Sequence, residues 1–457
     1  MISTDLKPIE TRNPFNSEKL VSYDQHTDQE VEDILSKSEK GFKSWRKTSF
    51  SERAEMFKKV ASDLKSNKRE YAELMTREMG KPVKQAISEV EKCAWVSEFY
   101  AENAEAFLED KIIETDAQKS YVSYEPQGTV LAVMPWNYPM WQVFRFAVPT
   151  LMAGNTGLLK HASNVTGTAL LIEEVFHKCG IPKSAFRTLK VSSDRMDNIV
   201  ADNRIKAVTL TGSEGAGSAV ASVAGENIKT SLLELGGSNA FVVLADADLD
   251  KAVEDAVFGR YQNTGQSCIA AKRLMIAEDI YDPFMQKFEA QVKDLQSGDP
   301  MDEEAFIGPL ANSGFAEDLD EQVKKSIEAG AELRMGGQRG GAHYSPTILE
   351  DVKPGMPAFD EETFGPVAAC MKFKNFNEAI DLVNRSKFGL GASVYTSDVV
   401  AILEDSKRIE DGAVFFNSFV KSDPRLAFGG TKKSGYGREL AREGILAFVN
   451  KKTTYIA

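Results

Sequence analysis

The chain has 457 residues, 42% of them hydrophobic, and 68 acidic against 55 basic side chains give a net charge of −13. This length calls for two or three domains with sizeable cores. The acidic balance, without a Lys/Arg cluster, excludes a nucleic-acid footprint; no stretch is apolar for long enough to span a bilayer, and the polar start Met1-Ile2-Ser3-Thr4-Asp5 is unlike a secretory signal.

The chain therefore reads as cytoplasmic, with neither a nucleic-acid nor a membrane partner. Its four cysteines (93, 179, 268 and 370) and four histidines (26, 161, 177 and 343) have the spacing of neither a disulfide framework nor a zinc site. No metal is expected.

Residues 1–108 are largely helical in pattern. Between 83 and 107, Val83, Ile87, Val90 and Ala94 share one helical face, and the charged Glu89, Glu91 and Lys92 are placed off it. Cys93, beside the apolar stripe, is expected to be a small buried hydrophobe. The segments 120–125 and 452–456 look like exposed strands outside any main sheet, free to pair with each other or with another subunit.

From Thr129 the texture changes. Short apolar runs at 129–134, 156–160, 187–191, 206–211 and 230–235 alternate with helical patterns near 140–153, 165–179, 194–202 and 215–226. Alternation of this kind implies a parallel sheet covered on both faces, with ligands beyond the carboxyl ends of its strands. A second α/β texture begins at Phe241-Val242-Val243-Leu244. A helix capped by Asp246 or Asp248 then leads into the loop that carries Cys268.

That loop, Gly265-Gln266-Ser267-Cys268, is small and polar, which fits an accessible thiol better than a packed one. A thiolate there attacks a carbonyl, provided something lowers its pKa. Thirty-four residues earlier, Glu234 closes the apolar run Ser231-Leu232-Leu233-Glu234-Leu235, ahead of Gly236-Gly237. A carboxylate in that place is either salt-bridged or a base for water.

Other candidates stand where strands give way to helices. Thr211-Gly212-Ser213-Glu214-Gly215-Ala216-Gly217 can present amides to a diphosphate, though it lacks the G-x-G-x-x-G spacing and Ser213 equally suits a plain N-cap. In Pro135-Trp136-Asn137-Tyr138-Pro139, the Asn137 amide is either an oxyanion donor or a turn residue. Trp141 and Arg145 lie one helical turn apart. Arg145, among Phe144, Phe146 and Val148, wants an anion, either a structural carboxylate or that of a substrate.

Taken together, 135–139, Lys160, 212–217, 234–237, 265–268, Glu361-Glu362-Thr363-Phe364-Gly365-Pro366 and Phe428-Gly429-Gly430 resemble the aldehyde dehydrogenase superfamily, in order along nearly the whole chain. Within it the sequence is most similar to the shorter bacterial NAD(P)-dependent succinate-semialdehyde dehydrogenases. The resemblance implies an α/β fold with two parallel-sheet domains and a small β oligomerisation hairpin. It puts the cofactor domain at 1–108 and 128–236, the catalytic domain at 237–445, and the oligomerisation segment at 109–127 and 446–457. Self-association as a homodimer or dimer of dimers follows from the same likeness.

Residue by residue, the resemblance makes Cys268 the nucleophile and Glu234 the base for thioester hydrolysis. Asn137, with the Cys268 N–H, forms the oxyanion hole. It assigns to the cofactor Trp136, Lys160, Ser163, Gly212, Ser213, Gly217, Leu235, Glu362 and Phe364, and to the substrate Arg145, Ser422, Trp141 and Arg273. Ser163 stands where NAD-preferring members carry a Glu, so NADP is expected to be accepted, with or without NAD. Ser238 and Ala240 depart from the usual Lys and Pro after Glu-Leu-Gly-Gly. Ala270 departs from relatives that place a second, disulfide-forming cysteine two residues after the nucleophile. The expected reaction is oxidation of a short aldehyde, with succinate semialdehyde first and other small aldehydes after it. CoA-dependent release is disfavoured by Glu234, and a silent binding relative by the presence of both Cys268 and Glu234.

Overall fold

The computed structural model describes residues 6–457. Four helices, Asp28–Trp45, Phe50–Ser66, Lys68–Met79 and Val83–Phe107, precede the first large sheet. Two of them open with a full capping box, Thr27 with Glu30 and Ser49 with Glu52, which satisfies N–H groups that a helix start leaves without partners.

Five parallel strands then form in the order Thr230–Glu234, Ile205–Thr211, Thr129–Met134, Thr156–His161, Phe186–Thr188. Alternate side chains serve different cores: Val130 and Ala132 face one apolar cluster and Leu131 the other, as the two-residue period of a strand requires. The five runs expected from the sequence are all strands, although the one at 187–191 closes earlier, at Thr188.

A second sheet orders Glu332–Met335, Thr347–Glu350, Val367–Phe373, Ala271–Ala277, Asn239–Val243, Ala392–Tyr395 and Val414–Phe416. All of its pairs are parallel except the first. The fold is thus α/β with two parallel-sheet layers, as expected. The two orphan strands pair with each other: Lys119–Pro126 runs antiparallel to Val449–Ile456, with Lys111–Ile112 on the far side.

Two features go beyond the sequence reading. Gly435–Tyr436, inside the stretch expected to belong to the catalytic domain, crosses back as an antiparallel edge on the first sheet and pairs with Glu234 and Leu233. Second, the charged side of Val83–Phe107 is not solvated as a whole. Glu89 is only 4% exposed. It ion-pairs with buried Lys81 and accepts hydrogen bonds from the N–H groups of Met140 and Trp141, each at 2.9 Å. A carboxylate there complements the positive end of helix Trp141–Met152 and fixes where that wholly buried helix begins.

Candidate active site

Helix Leu249–Tyr261 ends in a tight turn in which Asn263, Thr264 and Gly265 all take positive φ (53°, 55° and 73°). Left-handed backbone costs the two non-glycine residues on the order of 1–3 kcal/mol each, so the surroundings must hold it. Asn263 N–H donates to Gln85 Oε1 at 2.5 Å, its amide to the Asn137 carbonyl at 2.8 Å, and Thr264 Oγ1 bonds with the backbone of Gly308. At Gly265 a Cβ would lie 2.3 Å from the Gly365 carbonyl, so only glycine fits. This turn delivers Cys268 to the wall of a cavity of about 470 Å³.

Cys268 is half-buried, and the other three cysteines are free and buried. Burial pushes its thiol up to about 11, against the opposing influence of Lys272 and Arg145 and with Glu362 and Glu234 adding to the rise. Ala270 is buried, leaving no neighbouring thiol two residues on. Asn137 is brought to the same loop. Its amide donates to the Gln266 carbonyl at 3.1 Å, two residues before Cys268.

Glu234 ends its strand as expected and is fully buried. Both carboxylate oxygens lack hydrogen-bond partners. Burial holds its pKa well above the carboxylate range; Arg145 and Arg438 oppose the rise and Glu439 adds to it. The returning chain reaches it closely: a Cβ on Gly429 would lie 2.7 Å from Glu234 Oε1. A carboxyl held neutral and unpartnered in this way becomes a base only once it has released its proton, which entering water favours.

The expected cofactor residues gather beyond the carboxyl ends of the first sheet. Lys160 is buried at the end of its strand, and its pKa is lowered by burial alone. Ser163, exposed, opens the next turn and places no carboxylate beside it. Ser213 is the N-cap of helix Glu214–Glu226, accepting from the Ala216 N–H. The Gly212 N–H is taken by the Glu234 carbonyl, and Leu235 packs directly over Gly217. Glu362 accepts from Lys272 Nζ at 2.6 Å and from the Gly237 N–H at 3.0 Å. Trp136 meets Phe364 edge-on at 5.7 Å and stacks on Phe315.

On the substrate side, Trp141, Arg145, Ser422 and Cys268 line one cavity. Arg145 is buried and already has an anion, forming an ion pair with Glu439 while lying 4.7 Å from the Phe428 ring centroid. Arg273 does not join them, which corrects the sequence expectation. Its guanidinium donates to the carbonyls of Ser238, Leu382 and Val383, so it pins backbone segments together beneath the sheet.

Several residues of the site escaped sequence reasoning. Lys272 donates to the Cys268 carbonyl at 3.0 Å as well as to Glu362. Lys92 projects into the cavity, where its Nζ donates to Ser422 Oγ at 2.8 Å and lies 4.4 Å from the Trp141 ring centroid. In the sequence Lys92 falls off the apolar stripe of its helix, a place that reads as solvent-facing.

The profile of the aldehyde dehydrogenase family matches residues 1–454. A probable NADP(+) succinate-semialdehyde dehydrogenase of Synechocystis sp. is 48% identical over 452 residues, covering 98% of this chain and all of the relative. The NADP(+) succinate-semialdehyde dehydrogenase of Mycobacterium avium is 45% identical, with 98% and 97% covered. Among solved structures, the succinic semialdehyde dehydrogenase of Streptococcus pyogenes in complex with NADP+ superposes with a TM-score of 0.96 at 37% identity, covering 98% of this chain and 99% of that one.

Proposed function

The chain belongs to the aldehyde dehydrogenase family, and from that premise we propose that it oxidises succinate semialdehyde to succinate with NADP+ as the preferred acceptor. The observation that carries this reading is the single cavity that joins Cys268 to a cationic far wall formed around Arg145, Lys92 and Ser422. An aldehyde carbon held at the sulfur leaves a short chain's far carboxylate at that wall. The names of the Synechocystis and Mycobacterium avium relatives support both substrate and cofactor.

The residues present fit a phosphorylated dinucleotide. Lys160 has no carboxylate influencing it, Glu362 is held in place by a lysine and an amide, and a helix begins at Glu214 with orphan N–H groups. When bound, the nicotinamide supplies the acceptor for a hydride. Cys268 gives up its thiol proton to solvent, the thiolate sulfur bonds to the aldehyde carbon, and the developing oxyanion takes hydrogen bonds from the Asn137 amide and the Cys268 N–H. For this the Asn137 amide uses the N–H not spent on Gln266. Loss of the hydride leaves a thioester on Cys268. Glu234, once ionised, takes a proton from water, the hydroxide displaces the sulfur, and that proton passes to the departing thiolate, leaving acid and free thiol.

The raised pKa of Cys268 sets the sign of the pH response. The thiolate grows as pH rises toward 11, so turnover rises with pH across the neutral range. Four free cysteines fit a reducing compartment, and we place the enzyme in the cytoplasm. The free edge of Val449–Ile456 supports self-association into a dimer or dimer of dimers. The test is absorbance at 340 nm across C2–C6 aldehydes with and without a terminal carboxylate. Highest kcat/KM with succinate semialdehyde and NADP+ is expected. Equal rates for butyraldehyde would defeat the substrate assignment, and negligible NADP+ turnover would defeat the cofactor assignment.

A further inference from the structure

Five cations line the cavity that Cys268 opens into: Lys81, Lys84, Lys92, Arg145 and Lys421. Four are accounted for. Lys81 is paired with Glu89, Lys84 with Glu304 and Arg145 with Glu439, while Lys421 is exposed to solvent. Lys92 remains. Its hydrogen bond goes to a hydroxyl, and its ammonium rests over an indole. Glu89 and Asp423 act on it only through space.

Lys92 is half-buried; a cation partly withdrawn from water without a carboxylate partner is costly, and here Arg145 nearby adds repulsion. A ligand anion would relieve both. Ser422, which accepts from Lys92, keeps its own O–H to donate to the same anion. We propose that Lys92 is a further specificity-determining contact for the far carboxylate of the substrate, acting beside Arg145 and Ser422 in the same cavity wall. This inference rests on the carboxylated substrate proposed above.

A pH signature follows. Burial lowers the Lys92 pKa to about 8; Arg145 on helix Trp141–Met152 adds to the drop, and Cys93 and Glu89 on its own helix and Asp423 beside Ser422 oppose it. Lys92 is therefore charged below that pH and neutral above it, so carboxylate recognition fades as pH rises from 7 to 9.5. Titration of Cys268 affects all aldehydes alike and cancels in a ratio of substrates.

The experiment uses the full chain with saturating NADP+ and reads the ratio of kcat/KM for succinate semialdehyde to that for butyraldehyde. Lys92→Met is expected to lower this ratio about tenfold or more, through KM, and to remove its pH dependence; Lys92→Arg is expected to restore most of it. Near-ultraviolet circular dichroism establishes that each variant is folded, and Lys92→Gln serves where the methionine variant is not. An unchanged ratio in a folded variant overturns the role of Lys92, as does equal loss in Lys92→Met and Lys92→Arg, which would mark a packing role. A parent enzyme with no preference for succinate semialdehyde overturns the underlying substrate assignment instead.

Discussion

Two lysines flank the site, Lys272 buried and Lys92 half-buried, and their partners differ. Lys272 is wholly enclosed and meets a carboxylate, Glu362, along with the carbonyls of Gly237 and Cys268. Lys92 meets a hydroxyl and an aromatic face. Burial lowers the pKa of both, but only the first has an opposite charge within hydrogen-bonding distance. A cation whose charge is matched inside the protein acts as a brace. One left unmatched stores an affinity for something that arrives from outside.

The largest effect removes what lies between the two ends. Cys268→Ala should reduce NADPH formation to below about one part in 10⁴ of the parent rate, since the other three cysteines are buried and do not line the cavity. The next breaks the brace. Lys272→Met leaves Glu362 without its ammonium partner and should cost roughly 3–5 kcal/mol in urea unfolding, with a raised KM for NADP+; a cost below about 1 kcal/mol would show that Lys272 is no brace. The same logic, run in reverse, applies at Lys160, where a carboxylate can be added. Ser163→Glu should lower kcat/KM for NADP+ relative to NAD+ by roughly tenfold or more, and an unchanged ratio would place the 2′-phosphate elsewhere. The smallest effect is the stability of Lys92→Met, which loses one hydrogen bond to Ser422 and should shift unfolding by no more than about 1 kcal/mol. A loss as large as that of Lys272→Met would erase the distinction between the two lysines.

Legibility in the sequence followed the range of the interactions. The strand at 129–134 and the turn at 212–217 were readable because side-chain alternation and glycine placement are local. Cys268, Glu234 and Asn137 stood out as candidates from their own local motifs, whereas Glu362 entered only through the family resemblance. Lys92 and Glu89 could not. Helical periodicity identifies the apolar face of Val83–Phe107 but says nothing about what covers the rest, and here a cavity and another helix's first turn cover it. Arg273 was misplaced because it and Lys272 are adjacent on a strand and point to opposite sides of the sheet. Proximity to Cys268 in sequence could not tell which of the two faced the thiol. Gly435–Tyr436 was missed because a two-residue strand carries no period.

That short strand has a consequence for the life of the chain before it is finished. Glu234 and its neighbouring strand are made midway through synthesis, but the segment that closes over them, from Gly429 to Glu439, emerges only near the end. Until then Arg145 lacks its ion-pair partner Glu439 and the first sheet has a raw edge at Thr230–Glu234. A chain released before Gly429 would therefore leave Glu234 uncovered at the end of an unpaired strand.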